Sequence, residues 1–119
     1  MILVNLQQVF AGEKETLQVQ KEISNGIELL EASKTREFLE RYLSPETKAR
    51  IQINEKFIEK FNQRKKEKLL KMYKEIKGVK PFLSKDKVVS FKLESDYISF
   101  DLYEGKWYIS NSRRKPNTD

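Results

Sequence analysis

The chain has 119 residues and a net charge of +6, and it contains neither cysteine nor histidine. The missing cysteines exclude a disulfide framework and a thiolate metal site, and the missing histidines remove the usual zinc ligand and the usual general base near neutral pH. The length and the 38% content of hydrophobic residues predict a single domain with a modest core.

The positive charge is concentrated in one segment. Residues 60–80 carry nine basic and two acidic side chains, whereas residues 1–59 carry eight basic and ten acidic ones. A local excess of cations favours an anionic partner, although lysines on an exposed helix face also serve solubility alone.

The N-terminal segment has two interpretations. Apolar residues at spacings of three and four within residues 1–10 predict a short amphipathic helix, which is too short and too polar to span a membrane. Alternatively, residues 1–11 are a clipped export signal, because Ala11 before Gly12 is the small residue that a cleavage site needs, although a basic n-region is missing. As written, the chain is expected in the cytoplasm, and in the cell envelope or outside the cell if this segment is a signal remnant.

The first half of the chain has the apolar spacing of helices. We expect a first helix over residues 13–23, an interruption at residues 24–26, and a restart in which Asn25 and Glu28 form a capping box. The stretch 31–35 either interrupts the helix, with Ser33 or Thr35 as a cap, or continues it.

Two later helices have clear start signals. Ser44 precedes Pro45 at the first helical position, and Asn54 is a second N-cap candidate. Gly78 and Pro81 end the last helix. The side chains expected to face inward from these helices are Phe38, Leu39, Tyr42, Leu43, Phe57, Ile58, Phe61, Leu69, Leu70, Met72, Tyr73 and Ile76.

Residues 88–110 predict three antiparallel strands with one apolar face. Two-residue loops at 95–96 and 104–105 set the register, and Gly105 supplies the positive φ that the second loop needs. The inward residues are Val89, Phe91, Leu93, Ile98, Phe100, Leu102, Trp107 and Ile109. The predicted pairs are Leu93 with Ile98, Phe91 with Phe100, Val89 with Leu102, Leu102 with Trp107, and Phe100 with Ile109. The outer face carries Ser90, Lys92, Glu94, Tyr97, Ser99, Asp101, Tyr103, Lys106, Tyr108 and Ser110.

Helices followed by strands predict an α+β fold, in which a helical N-terminal half packs on a curved antiparallel β-meander. We assign residues 1–12 to an N-terminal segment, 13–111 to a single domain and 112–119 to a flexible basic tail.

Four stretches carry a family resemblance, and they read FLERYLSPE, KPFLSKDKVVSFKL, YISFDL and YEGKWYISN. Together they resemble the small nuclear transport factor 2-like (cystatin-like α+β) domains of bacteria, which are often exported or lipid-anchored. The resemblance covers residues 27–111, and Gly105, Lys106 and Trp107 match the family's closing hairpin. It implies a cone of helices and sheet. Because the family usually has more than three strands, one is missed in residues 1–10 or supplied by a second subunit.

We expect a non-enzymatic module without a catalytic residue, cofactor or metal. Enzymes that resemble this fold place a carboxylate, histidine or tyrosine inside the cone, and the inward face of the meander offers none of these. Tyr42 and Tyr73 could reach a pocket, but core positions with the hydroxyl at the rim are favoured. The leading hypothesis is a binding or accessory module that assembles through its sheet, as a homodimer or with a protein partner. Its contact candidates on the outer face are Tyr97, Asp101, Tyr103 and Tyr108.

Two alternatives remain open. The first is nucleic-acid or acidic-surface binding through the basic helix 60–80, with the candidates Arg64, Lys65, Lys68 and Lys71. Glu67 and Glu75 interrupt that face, and no aromatic residue is interleaved for base stacking. The second is a small apolar ligand held between helices and sheet, where Phe91, Phe100 and Trp107 would either line a pocket or fill it as core.

Overall fold

The structure is a computed structural model of the chain, and it describes residues 12–83, 88–94 and 96–110. It confirms the α+β fold class, since the described residues form five helices followed by an open four-stranded antiparallel sheet. The helices are α1 (Glu13–Glu31), α2 (Thr35–Tyr42), α3 (Pro45–Arg50), α4 (Glu55–Arg64) and α5 (Lys66–Ile76). The strands are β1 (Phe82–Leu83), β2 (Val88–Lys92), β3 (Tyr97–Tyr103) and β4 (Lys106–Ile109), in that spatial order.

The predictions for the two ends of the chain lie outside the described residues. These are the helix, strand or signal in residues 1–11 and the flexible tail over 112–119. None of the described helices has the length and apolar character that crossing a membrane requires.

The first helix is continuous, and the predicted interruption at residues 24–26 is wrong. Gly26 is buried in the middle of α1, where a Cβ atom would lie 2.8 Å from Cε2 of Tyr73 and 3.0 Å from Cε1 of Phe38. The missing side chain therefore lets the aromatic rings of α2 and α5 approach the backbone of α1. This packing outweighs the poor helix propensity of glycine and leaves the expected capping box unused.

The later helix starts follow the predicted caps. The backbone N–H of Thr47 donates to Oγ of Ser44 at 3.2 Å, and that of Phe57 donates to Oδ1 of Asn54 at 2.9 Å. The helical conformation is interrupted between α1 and α2, where Ser33 has a φ of 60°. These caps are local contacts, so the sequence alone specifies them.

The second hairpin has the predicted register, with Leu102 opposite Trp107 and Phe100 opposite Ile109. Its turn contains two residues with positive φ, 49° at Glu104 and 78° at Gly105. This backbone twist matches that of the flanking strands, as expected for a two-residue loop.

The predicted register of the first hairpin is wrong by two residues. Phe100 pairs with Val89 rather than with Phe91, which pairs with Ile98. The N–H of Leu93 donates to the carbonyl of Asp96 at 2.8 Å, so the loop begins one residue earlier than predicted. Moving a two-residue loop by one residue shifts every pair by two, and such a shift leaves each side chain on its original face.

A fourth strand, β1, precedes the three predicted strands, in a segment for which the sequence predicted neither helix nor strand. Phe82 pairs with Ser90 and Leu83 pairs with Val89. The prediction of three strands is therefore wrong, because a two-residue strand is too short to show an alternation of apolar and polar residues.

A column of aromatic rings joins the helices to the inner face of the sheet. The ring of Tyr73 lies 6.2 Å from that of Phe38 and 6.1 Å from that of Phe100, which meets Phe91 edge-on at 6.1 Å. Phe91, Phe100 and Trp107, the predicted pocket or core residues, are at most 3% exposed and belong to the core cluster.

Candidate functional site

A polar network joins α1, α2 and β4 at one edge of the sheet. Oε1 of Glu22 accepts a hydrogen bond from the Tyr42 hydroxyl at 2.8 Å, and Oε2 forms an ion pair with Nη2 of Arg41 at 2.9 Å. Nη1 of Arg41 donates to the carbonyl of Trp107 at 3.1 Å, and the indole N–H of Trp107 donates to Oε1 of Gln18 at 3.0 Å. The two contacts of Glu22 join α1 to α2, and the two contacts of Trp107 hold these helices against β4.

Residues of α2 and of the segment that follows it cover the outer edge of β4. Arg41 donates a hydrogen bond to the carbonyl oxygen of Trp107, and Leu43 forms a parallel β-bridge with Ile109. Because unpaired backbone groups at a sheet edge invite pairing with another chain, these contacts make β4 a poor site for strand addition.

Beside the network lies an open cleft of about 390 Å³. Burial raises the pKa of the Tyr42 hydroxyl, and its hydrogen bond to Glu22 raises this pKa further. Burial likewise raises the pKa of Tyr73. Both hydroxyls are therefore neutral at neutral pH, and both oxygens of Glu22 are already engaged. The cleft is lined by Glu22, Asn25, Glu28, Leu29, Ala32, Lys34, Arg41 and Tyr42.

Sequence reasoning missed Glu22 and Arg41. They lie 19 residues apart on different helices, and only the packing of α1 on α2 brings them together. The sequence offered one indication of these residues, which is that each stands next to a core position. Glu22 directly precedes Ile23 on α1, and Arg41 directly precedes Tyr42 on α2. Within the described ranges, no group of three or more acidic, histidine or cysteine side chains could hold a metal ion.

The second candidate region is a set of exposed cations on α4 and α5. We define the cationic surface as Lys60, Arg64, Lys65, Lys68 and Lys71, which include all four of the predicted basic residues. Lys60 and Arg64 are one turn apart on α4, and Lys68 and Lys71 are nearly one turn apart on α5, so each pair shares a face. None of these five side chains forms an ion pair with a described residue.

The neighbouring charges limit the cationic surface on one side. Lys74 is neutralised by Glu31, with Nζ and Oε2 2.9 Å apart. Glu67 and Glu75 line a shallow depression of about 460 Å³ together with Lys71 and Lys74. These two glutamates stand one turn before and one turn after Lys71 on α5, so the predicted interruption falls on Lys71. The other four cations lie outside the depression.

The outer face of the sheet is more covered than its alternation indicated. Ser90 and Ser99 are 3% and 5% exposed, and their Oγ atoms lie 2.7 Å apart. Tyr108 is also buried, with the Arg41 guanidinium 5.8 Å from its ring centre. Among the four predicted contact residues, Tyr97 and Asp101 are half-buried and Tyr103 is 52% exposed. Asp101 lies opposite Tyr108, as the predicted pairing of Leu102 with Trp107 requires.

Comparisons of the chain with protein-family models, with curated proteins and with solved structures found no match. The resemblance to nuclear transport factor 2-like domains stays a prediction. The polar network, the cationic surface and the outer face of the sheet are therefore the three regions from which a function can be argued.

Proposed function

We propose that the chain is a non-enzymatic binding module whose cationic surface binds the phosphate backbone of a nucleic acid. The observation that supports this most is that five exposed cations on two consecutive helices form no ion pair with a described residue. Phosphates would neutralise these charges and release condensed counterions, which is the main source of affinity in backbone binding.

The spacing of the cations suits a phosphate backbone. Arg64 follows Lys60 by four positions, which is a helical rise of about 6 Å, and Lys71 follows Lys68 by three positions, a rise of about 4.5 Å. Phosphates on one DNA strand follow each other about every 3.4 Å along the axis, which is well within the reach of long side chains. Lys65 lies at the junction of the two helices, between the two pairs in the sequence.

The burial of the apolar residues favours a nucleic acid over a membrane surface. A helix that binds a membrane needs a free apolar face beside its cations. On α5 the apolar residues Leu70, Tyr73 and Ile76 are at most 7% exposed because they pack in the core. The helix therefore has little apolar surface to insert between lipids.

Assembly through the outer face of the sheet is a second candidate, supported by the exposure of Tyr103. Tyrosine is enriched at protein interfaces. The burial of Tyr108, Ser90 and Ser99 leaves a smaller polar-aromatic surface there than the sequence indicated. Light scattering at high protein concentration would show a dimer if this candidate is right and a monomer if the chain does not self-associate.

A salt titration tests the nucleic-acid proposal. The probe is a labelled DNA duplex of mixed sequence and about 20 base pairs, whose affinity is measured between about 50 and 200 mM salt. If all five cations contact phosphates, the logarithm of the affinity should fall with the logarithm of the salt concentration with a slope of about −4.5, a loss of roughly 500-fold over this range. Absence of binding at the lowest salt concentration would refute the proposal.

A further inference from the structure

We infer that the ligand of the cationic surface is a nucleic-acid duplex, bound with little sequence preference, rather than a single strand. This inference rests on the proposed function and adds the form of nucleic acid that the surface fits.

The aromatic side chains of α4 and α5 are not available for stacking. Phe61 is half-buried with its ring 6.1 Å from that of Phe38, and Tyr73 is 1% exposed. Phe57 is half-buried and packs against the core. Proteins that bind single strands use exposed aromatic side chains as platforms on which the bases stack. The cationic surface lacks such platforms within the described part of these helices, so its affinity has to come from phosphates.

The helices that carry the cations are fixed to the rest of the domain. The hydroxyl of Thr35 on α2 donates to Oδ1 of Asn62 on α4 at 2.7 Å. Past the end of α5, the amide of Gln20 donates from Nε2 to the carbonyl of Val79 at 3.0 Å and accepts at Oε1 from the N–H of Gly78 at 3.2 Å. The phosphates of a duplex are already fixed when they meet these anchored helices, whereas a flexible single strand would lose conformational entropy on binding.

The two side-chain amides between Lys60 and Arg64 in the sequence are each engaged through one atom. Oδ1 of Asn62 accepts from Thr35, and Nε2 of Gln63 donates to Oε1 of Glu59 at 3.4 Å. Asparagine and glutamine read base edges through these same atoms, whereas lysine contacts to phosphates carry no sequence information. Each amide keeps only one polar atom free for a base, and Arg64 is the only cation of the surface with the bidentate group that reads guanine. Because the other four cations are lysines, we expect backbone binding with weak sequence preference.

The test compares one duplex with each of its two separated strands, all labelled identically and titrated with the wild-type protein at the same low salt concentration. We expect the duplex to bind at least about tenfold more tightly, and its salt slope to be about −0.9 per contacted phosphate, against about −0.7 for a strand. A second duplex of unrelated sequence should bind within about threefold of the first, since base contacts would separate the two by more.

The outcomes separate this inference from the proposed function. Equal or tighter binding of the single strands would overturn the preference for a duplex and leave nucleic-acid binding intact. Binding to neither form would overturn both, and so would binding to vesicles of anionic lipid without binding to either nucleic acid. A large difference between the two duplexes would overturn the absence of sequence preference.

Discussion

Replacing Lys68 and Lys71 together by glutamate should reduce the affinity for a DNA duplex by at least about 100-fold at low salt. The double substitution removes two cations and introduces two anions beside phosphates, so attraction becomes repulsion on α5. Both side chains are exposed and form no ion pair with a described residue. Repulsion between the new carboxylate at position 71 and Glu67 and Glu75, one turn away on either side, should cost about 1 kcal/mol or less of stability. Fluorescence anisotropy gives the affinity, and thermal unfolding shows whether the variant is folded.

The matched control is Lys92→Glu combined with Lys106→Glu. It changes the net charge by the same amount, but on the outer face of the sheet, where both lysines are exposed. We expect a loss of less than about threefold, because only the long-range field changes. Equal losses in the two variants would mean that net charge rather than the cationic surface governs binding. A larger loss in the control would move the binding site to the outer face and contradict the proposal.

Gly26→Leu should lower the free energy of unfolding by about 3 kcal/mol, which is the upper part of the range for overpacking a core. Even a Cβ atom at this position would lie 2.8 Å from the ring of Tyr73, and that ring is itself 1% exposed and enclosed by other core aromatics. The added side chain therefore has to displace α2 or α5. Chemical denaturation followed by circular dichroism measures the change.

Gly26→Ala separates the packing effect from helix propensity. Alanine is about 1 kcal/mol more favourable than glycine inside a helix, which offsets part of the cost of the close contacts. The loss of unfolding free energy should therefore be smaller for alanine than for leucine. Glu28→Ala, two residues further along α1 and exposed, is the control and should change the stability by less than about 0.5 kcal/mol. If both substitutions at Gly26 stabilised the protein, close packing of the helices at this glycine would be refuted.

The sequence predicted the features that depend on neighbouring residues. Ser44 and Asn54 cap their helices through backbone groups three residues away, and Glu104 with Gly105 forms a turn through its own backbone angles. Local hydrogen bonds and turn conformations need no knowledge of the tertiary fold, so these elements could be predicted without it.

The wrong predictions concern features that tertiary packing determines or that two strand registers satisfy equally well. Gly26 indicates a helix break by its propensity, yet the rings of Phe38 and Tyr73 require a glycine in the helix at that point. The first hairpin was misaligned because burial patterns distinguish a shift of one residue but not a shift of two.

The candidate site could be predicted in part. Composition located the cations of residues 60–80, but it could not show that Lys74 is neutralised by Glu31 while Lys68 and Lys71 form no ion pair with a described residue. The contact between Glu22 and Arg41 was also beyond reach, because it depends on how two helices pack.

Whether the cationic surface binds a nucleic acid is tested by following the backbone amide chemical shifts of the protein during titration with a DNA duplex. We expect the perturbed amides to cluster in residues 60–71, along the end of α4 and the first half of α5, and the amides of residues 97–106 in the sheet to stay unchanged. Perturbations confined to the sheet or to the cleft beside Glu22, with residues 60–71 unaffected, would contradict it.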